Sequence, residues 1–190
     1  LNVSAGATSQ TDKVDDFRFK RYTYFFLDDV YREEYGFYRA KWQHYAVNDP
    51  ILRIVVYKSE VGDNLTGEKI EGEAAPDPST LTGGSSDDEE FYSGVFERLE
   101  PDIHYTVFPN QGYIRMRTPL NESTVLAVAY ETQEFQGQNA IGDIDYDPAT
   151  RVQIKLNLIK SRQPQPSSPT WNLEWKNVYD LGAEIEEESF

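Results

Sequence analysis

Between His104 and Tyr130 apolar and polar positions alternate in three short runs, separated by two turn signals. Tyr105 and Val107 alternate with polar neighbours, Pro109-Asn110-Gln111-Gly112 forms a turn, and Tyr113 to Thr118 alternates again. Pro119 to Ser123 is a second turn, and Val125 to Tyr130 is a third, nearly continuous apolar run. Alternation over four to eight residues, bounded by Pro, Asn and Gly, predicts an antiparallel meander. Asn and Gly supply the backbone conformations that sharp reversals require.

Elsewhere the pattern changes period. Tyr24, Leu27, Tyr31, Tyr35 and Tyr38 recur three and four residues apart, predicting an amphipathic helix of about four turns. Thr23 is placed to cap it, Asp28 and Arg32 to pair along it, and Gly36 to end it. Phe17 to Leu27 also reads as a strand because of its aromatic content. Ile51 to Lys58 is a short β-branched run and reads as a buried strand. Val152, Ile154, Leu156 and Leu158 alternate along another strand.

These runs predict a β-dominated α+β fold: an antiparallel sheet or sandwich of five to seven strands with one N-terminal helix. Strands at 105–108, 113–118, 124–131 and 152–159 are expected to form a contiguous core, because sequential strands usually pair. Residues 1–16 read as a flexible terminus and 17–160 as a single β-rich domain. Within it, 61–90 lacks any periodic pattern and is rich in Gly, Asp, Glu, Ser and Thr, so a flexible acidic insertion is expected there. The stretch 161–170 reads as a Pro-rich extended linker. Residues 171–190 read as a C-terminal strand segment, with Trp171, Leu173 and Trp175 along one face.

Composition narrows the function. Among 190 residues, 33 are acidic and 18 basic, a net charge of −15. That balance argues against nucleic acid and anionic membranes, which are met by basic surfaces. The acids are spread along the chain, which favours general solvation over one acidic binding face. Cysteine is absent and only His44 and His104 are present, so thiol chemistry and histidine-rich metal sites are excluded. No apolar run approaches the ~20 residues of a membrane-spanning helix, so this piece is not expected to span a membrane. The chain begins at Leu1 without an initiator Met or a basic-then-apolar leader, and is read as a piece of a longer polypeptide.

Phe108-Pro109-Asn110-Gln111-Gly112-Tyr113-Ile114, then Leu120-Asn121, then Val125 to Tyr130 follow one another in a distinctive order. Gly142-Asp143, Lys155 to Lys160, Pro169-Thr170-Trp171 and Lys176 to Gly182 continue it. This order resembles the SprA/Sov family, the very large outer-membrane translocon of the type IX secretion system. The likeness is close over 96–182 and looser over 22–60, and it has no counterpart for 1–16 or 61–90. The resemblance implies a soluble domain, extracellular or periplasmic, of a giant outer-membrane protein that passes folded cargo and supports gliding motility. The implied role is structural or interactive and non-catalytic. The implied partners are other parts of the parent translocon, its partner subunits or secreted cargo. The alternative is an independent cell-surface carbohydrate-binding β module.

Candidate chemistry is sparse. Asp143, Asp145 and Asp147 match the opening of a calcium loop, but Pro148 and Ile154 replace its turn glycine and bidentate glutamate. A solvated turn is the expectation, with a weak cation site as the alternative. No Ser-His-Asp order, phosphate loop or metal-ligand pair stands out, so no catalytic, cofactor or metal residues are assigned. His104 and His44 read as half-buried packing residues. Trp171 and Trp175 read as core or interface residues, with a sugar platform as the alternative. Asn64 and Asn121 fit the glycosylation sequon.

Overall fold

Five strands close on themselves around an apolar interior, and a three-stranded sheet packs against the outside of this barrel. The computed structural model describes residues 21–39, 48–60, 65–82, 90–147, 149–176 and 178. Its elements run β1 (Tyr24–Phe26), α1 (Asp29–Arg39), β2 (Ile51–Ser59), β3 (Lys69–Ala75), β4 (Tyr92–Arg98), β5 (Tyr105–Phe108), β6 (Tyr113–Met116), β7 (Val125–Thr132) and β8 (Ile154–Lys160). Short 3-10 turns lie at Pro78–Thr80, Gly137–Asn139 and Pro169–Leu173. The fold is a β-dominated α+β fold with one α-helix among the described residues, as the periodicities predict.

The barrel order is β2-β4-β3-β8-β7, and the outer sheet is β1-β6-β5. All barrel pairs are antiparallel except β3 with β8. The closing seam between β2 and β4 is short, pairing Tyr57 with Arg98 and Lys58 with Glu97. Leu99 N extends it by donating to Val56 O at 2.9 Å.

Two cores explain the apolar pattern. Val125, Ala127 and Ala129 of β7 face the barrel interior with Tyr57, Ile70, Ala74, Phe96, Ile154, Leu156 and Leu158. Leu126, Val128 and Tyr130 face outward into a second core with Phe25, Leu27, Tyr105, Ile114 and Met116. Every residue of β7 is therefore buried, which is why its run is continuous rather than alternating. A five-stranded barrel has little room inside, and small residues opposite large ones fill it. At Gly72 an added Cβ would lie 2.6 Å from Ile154 Cγ2 and 3.0 Å from Phe96 Cδ2.

The structure departs from the sequence reading in several places. The predicted meander parts after its second strand: β5 and β6 pair with each other, but β6 then pairs with β1, while β7 joins the barrel. The core strands are thus not contiguous, because the 117–124 turn carries the chain from one layer to the other. Tyr24 to Phe26 is a strand, the alternative reading, and the helix starts after it. Asp28 caps that helix, its Oδ1 accepting from Val30 N at 2.9 Å. Arg32 pairs with Asp29 at 3.0 Å rather than with Asp28, and Gly36 lies inside the helix rather than at its end.

The predicted flexible insertion supplies a barrel strand, β3, whose Ile70 and Ala74 are buried. Residues 61–64 and 83–89 of that stretch, like 1–16, lie outside the described residues. The predicted linker 161–170 is folded: Ser161 Oγ donates to Glu90 Oε1 at 2.5 Å, and Thr170 N donates to Glu90 Oε2 at 2.8 Å. The predicted C-terminal strand is a 3-10 turn over Pro169–Leu173, followed by a single bridge from Glu174 to Phe25. The proline that opens it and the bond from Trp171 N to Ser168 O favour the turn over an extended ladder. Val152, expected on the inner face of β8, lies before the strand and is 88 % exposed.

Candidate functional site

The outer sheet has two unlike faces. Its inner face, with Phe25, Tyr105, Ile114 and Met116, is sealed against the barrel. On its outer face the registers Tyr24 with Arg115, Phe26 with Tyr113, Thr106 with Arg115 and Phe108 with Tyr113 bring four rings together. Paired residues project to the same side of a sheet, so sequence alternation and register together build this cluster. Phe108 stacks on Tyr113 at 4.5 Å. Tyr35 from α1 and Trp175 complete the group: Trp175 lies edge-on to Tyr35 at 5.0 Å and to Tyr113 at 5.5 Å. The Arg115 guanidinium sits 5.7 Å from the Tyr24 ring.

The first and last long described segments lie side by side, next to the aromatic face. Arg21 Nε lies 2.9 Å from Glu174 Oε1, and Tyr22 N donates to the same oxygen at 2.8 Å. Trp175 N donates to Tyr24 O at 2.9 Å. The Glu174 carboxylate is buried, and its hydrogen bond holds the Arg21 guanidinium above its ordinary pKa. Burial lowers the ammonium pKa of neighbouring Lys176, which lies 4.1 Å from the Trp171 ring centre and donates to Trp171 O.

A second feature lies on the barrel wall. A groove of about 840 Å³ runs between the Pro78–Thr80 turn and the 135–145 segment, with Arg151 and Lys155 at its side. The 141–143 segment wedges between β7 and β8: Ile141 exchanges backbone bonds with Tyr130, and Asp143 N donates to Lys155 O at 2.7 Å. Asp143 accepts from Arg151 and, at 2.8 Å, from Lys155 N. Asp145 Oδ1 accepts from Arg53 Nη2 at 2.6 Å, which holds its carboxyl below the usual range. Arg53 also bonds Glu131 Oε2 at 3.1 Å, while Glu131 Oε1 accepts from Gly137 N at 2.9 Å. Lys155 Nζ donates to Leu81 O at 2.6 Å.

The three aspartates singled out in the sequence therefore do not converge. Asp143 and Asp145 are bound by separate arginines, and Asp147 caps its own turn by accepting from Ala149 N at 2.9 Å. No group of three His, Asp or Glu side chains placed to hold a metal occurs among the described residues. Trp171 and Trp175 do not share one open platform, since Trp175 is packed edge-on among rings and Trp171 carries Lys176. His104 is exposed rather than half-buried, its Nδ1 accepting from Glu100 N at 3.0 Å, and His44 lies outside the described residues. The groove residues Phe135, Gln138, Asn139 and Arg151 carried no motif; the aperiodic Gln- and Gly-rich run at 133–142 was the only signal for the first three.

A third cluster, also unforeseen, lies at the end of β8. Lys160 is buried, and its Nζ donates to Glu122 O, Thr124 O and Ser161 O at 2.8, 2.6 and 3.2 Å. Burial pushes its pKa down to about 8, partly opposed by the carboxylates of Glu174 and Glu122. Three acceptors on one ammonium make this a structural tie between two loops.

Among the described residues no helix is long and apolar enough to cross a membrane. No family model matches the chain, and no curated protein matches it in sequence.

Proposed function

We propose that this chain is a non-catalytic structural and interaction domain carried within a very large outer-membrane translocon of the type IX secretion class. The observation that carries the reading is the adjacency of Arg21 and Glu174 beside the aromatic face. Segments far apart in sequence that lie together in this way suit a domain set between elements of a host chain. The rings at that spot then form the surface that meets the host, its subunits or its cargo. Aromatic and Arg-rich patches are the usual anchors of such contacts. The non-catalytic part of the proposal is supported by the engagement of Asp143, Asp145 and Glu131 in fixed ion pairs rather than in a reactive cleft. On this reading the parent resides in the outer membrane and the domain lies outside or beneath it.

The test is photo-crosslinking in the intact parent, with the crosslinker at Phe108 or Tyr113. Capture of another translocon segment, subunit or cargo protein supports the proposal. A parent reading frame encoding only a short secreted polypeptide, with no crosslinked partner, refutes it.

A further inference from the structure

The groove on the barrel wall is built by different residues from the aromatic face, and its use does not depend on the identity of the parent. Its charges are already spent. Asp77 accepts from Ser79 N at 2.9 Å, Asp143 is paired with Arg151, Asp145 with Arg53, and Lys155 is drawn to a backbone carbonyl. A divalent cation needs several free carboxylate oxygens and a phosphate needs uncommitted cations, so neither fits this lining. What the groove presents instead is neutral and two-handed. The Gln138 and Asn139 carboxamides each carry donors and an acceptor, and Ser79 brings a hydroxyl. The Phe135 ring, 41 % exposed, supplies one apolar surface beside them. Planar polar groups around one ring, in a groove within the 300–1,000 Å³ span of small-ligand sites, suit a molecule that alternates hydroxyls with apolar C–H faces.

We propose that this groove binds a neutral oligosaccharide, with Phe135 stacking against a sugar ring and Gln138 and Asn139 bonding its hydroxyls. The groove segment is anchored to the barrel by backbone bonds, Ile141 to Tyr130 and Asp143 N to Lys155 O, and by Glu131 Oε1 accepting from Gly137 N. A ligand therefore meets a preformed surface and loses little free energy to ordering it.

The experiment is binding of the intact chain to an array of neutral oligosaccharides (glucans, mannans, galactans and N-acetylglucosamine oligomers) alongside sulfated and sialylated glycans and a set of extended peptides. Retention on neutral members is expected. Phe135→Ala and Asn139→Ala should each weaken it about tenfold or more, the scale of one ring contact with its hydrogen bonds. Both residues are exposed, so melting temperatures should match that of the unmodified chain, and Trp171→Ala should bind normally. Retention only of sulfated or sialylated glycans or of peptides, retention that survives both substitutions, or no retention at all overturns the proposal. None of these outcomes bears on the crosslinking test, which probes the other face.

Discussion

Replacing Lys160 with Met tests how a buried charge is held in this fold. Lys160 is 2 % exposed and donates to three carbonyls from two loops. Methionine keeps the length and apolar stem but leaves Thr124 O and Ser161 O without this donor, while Glu122 O still accepts from Gln163 N at 3.1 Å. Each orphaned buried acceptor costs roughly 1–3 kcal/mol. Against this, the substitution removes a charge that burial disfavours: a pKa lowered from 10.5 to about 8 corresponds to about 3 kcal/mol. Two orphaned acceptors cost about 2–6 kcal/mol, so near neutral pH the two effects largely offset and Lys160→Met should stay within about 3 kcal/mol of the wild type.

The pH dependence separates them. The folded-state pKa lies below the unfolded one, so between about pH 8 and 10.5 unfolding takes up a proton. The penalty is fully present below pH 8 and is relieved as pH rises through that window. The wild-type chain should therefore gain up to about 3 kcal/mol relative to Lys160→Met, which cannot titrate there. Urea unfolding of both proteins at pH 7, 8, 9 and 10 reads the difference, and the tyrosines common to both cancel. Parallel stability curves across the window would refute the account.

Three further outcomes follow from the packing. Gly112 has φ +71°, and an added Cβ would overlap the Tyr31 ring, so Gly112→Ala should cost about 3 kcal/mol and lower the melting temperature by roughly 6–12 °C. Burial raises the phenol pKa of Tyr57 to about 12 and also raises those of Tyr31 and Tyr130. Neutral tyrosine is favoured in the folded state, so that stability is whole below pH 10 and is lost as pH rises above it. Tyr57→Phe should flatten the loss by up to about 3 kcal/mol by pH 12 in denaturant titrations. Ala127 points into the narrow barrel interior, so Ala127→Leu should destabilise by about 1–3 kcal/mol in urea unfolding, whereas Leu52→Ala on the exposed side should change little.

The legible parts of the fold were those where burial is one-sided or complete. Tyr105–Phe108 and Tyr113–Met116 alternate because one face meets the barrel, and Val125–Thr132 is continuous because both faces are covered. What stayed hidden was β3. Its inward positions are Ile70, Gly72 and Ala74, since the close approach of Ile154 and Phe96 leaves no space for larger side chains. A strand whose core positions must be small, and whose outward positions include Glu71 and Glu73, carries no hydrophobic signal and reads as an acidic loop. The partner of β6 was hidden for another reason: alternation specifies which face is buried, but not which strand lies alongside. The aromatic face was half legible, because register places Phe26 beside Tyr113 while only the fold brings Tyr35 and Trp175 onto them.

The acidity deserves a physical reading that composition alone obscured. Spread along the chain, the carboxylates look like solvation, yet several are buried joints between distant segments. Glu174 ties the last long described segment to Arg21 and Tyr22, Glu131 ties β7 to Arg53 and to Gly137, and Glu97 holds Gly67 N at 2.6 Å beside Lys58 at 3.4 Å. A carboxylate accepts from two or more donors at once, so it can satisfy orphaned backbone N–H groups there and still attract a cation. Glu73 shows the limit of the device, for it is buried with Oε1 lacking a hydrogen-bond partner among the described residues. The fold thus puts its rigidity in the barrel and in these carboxylate joints.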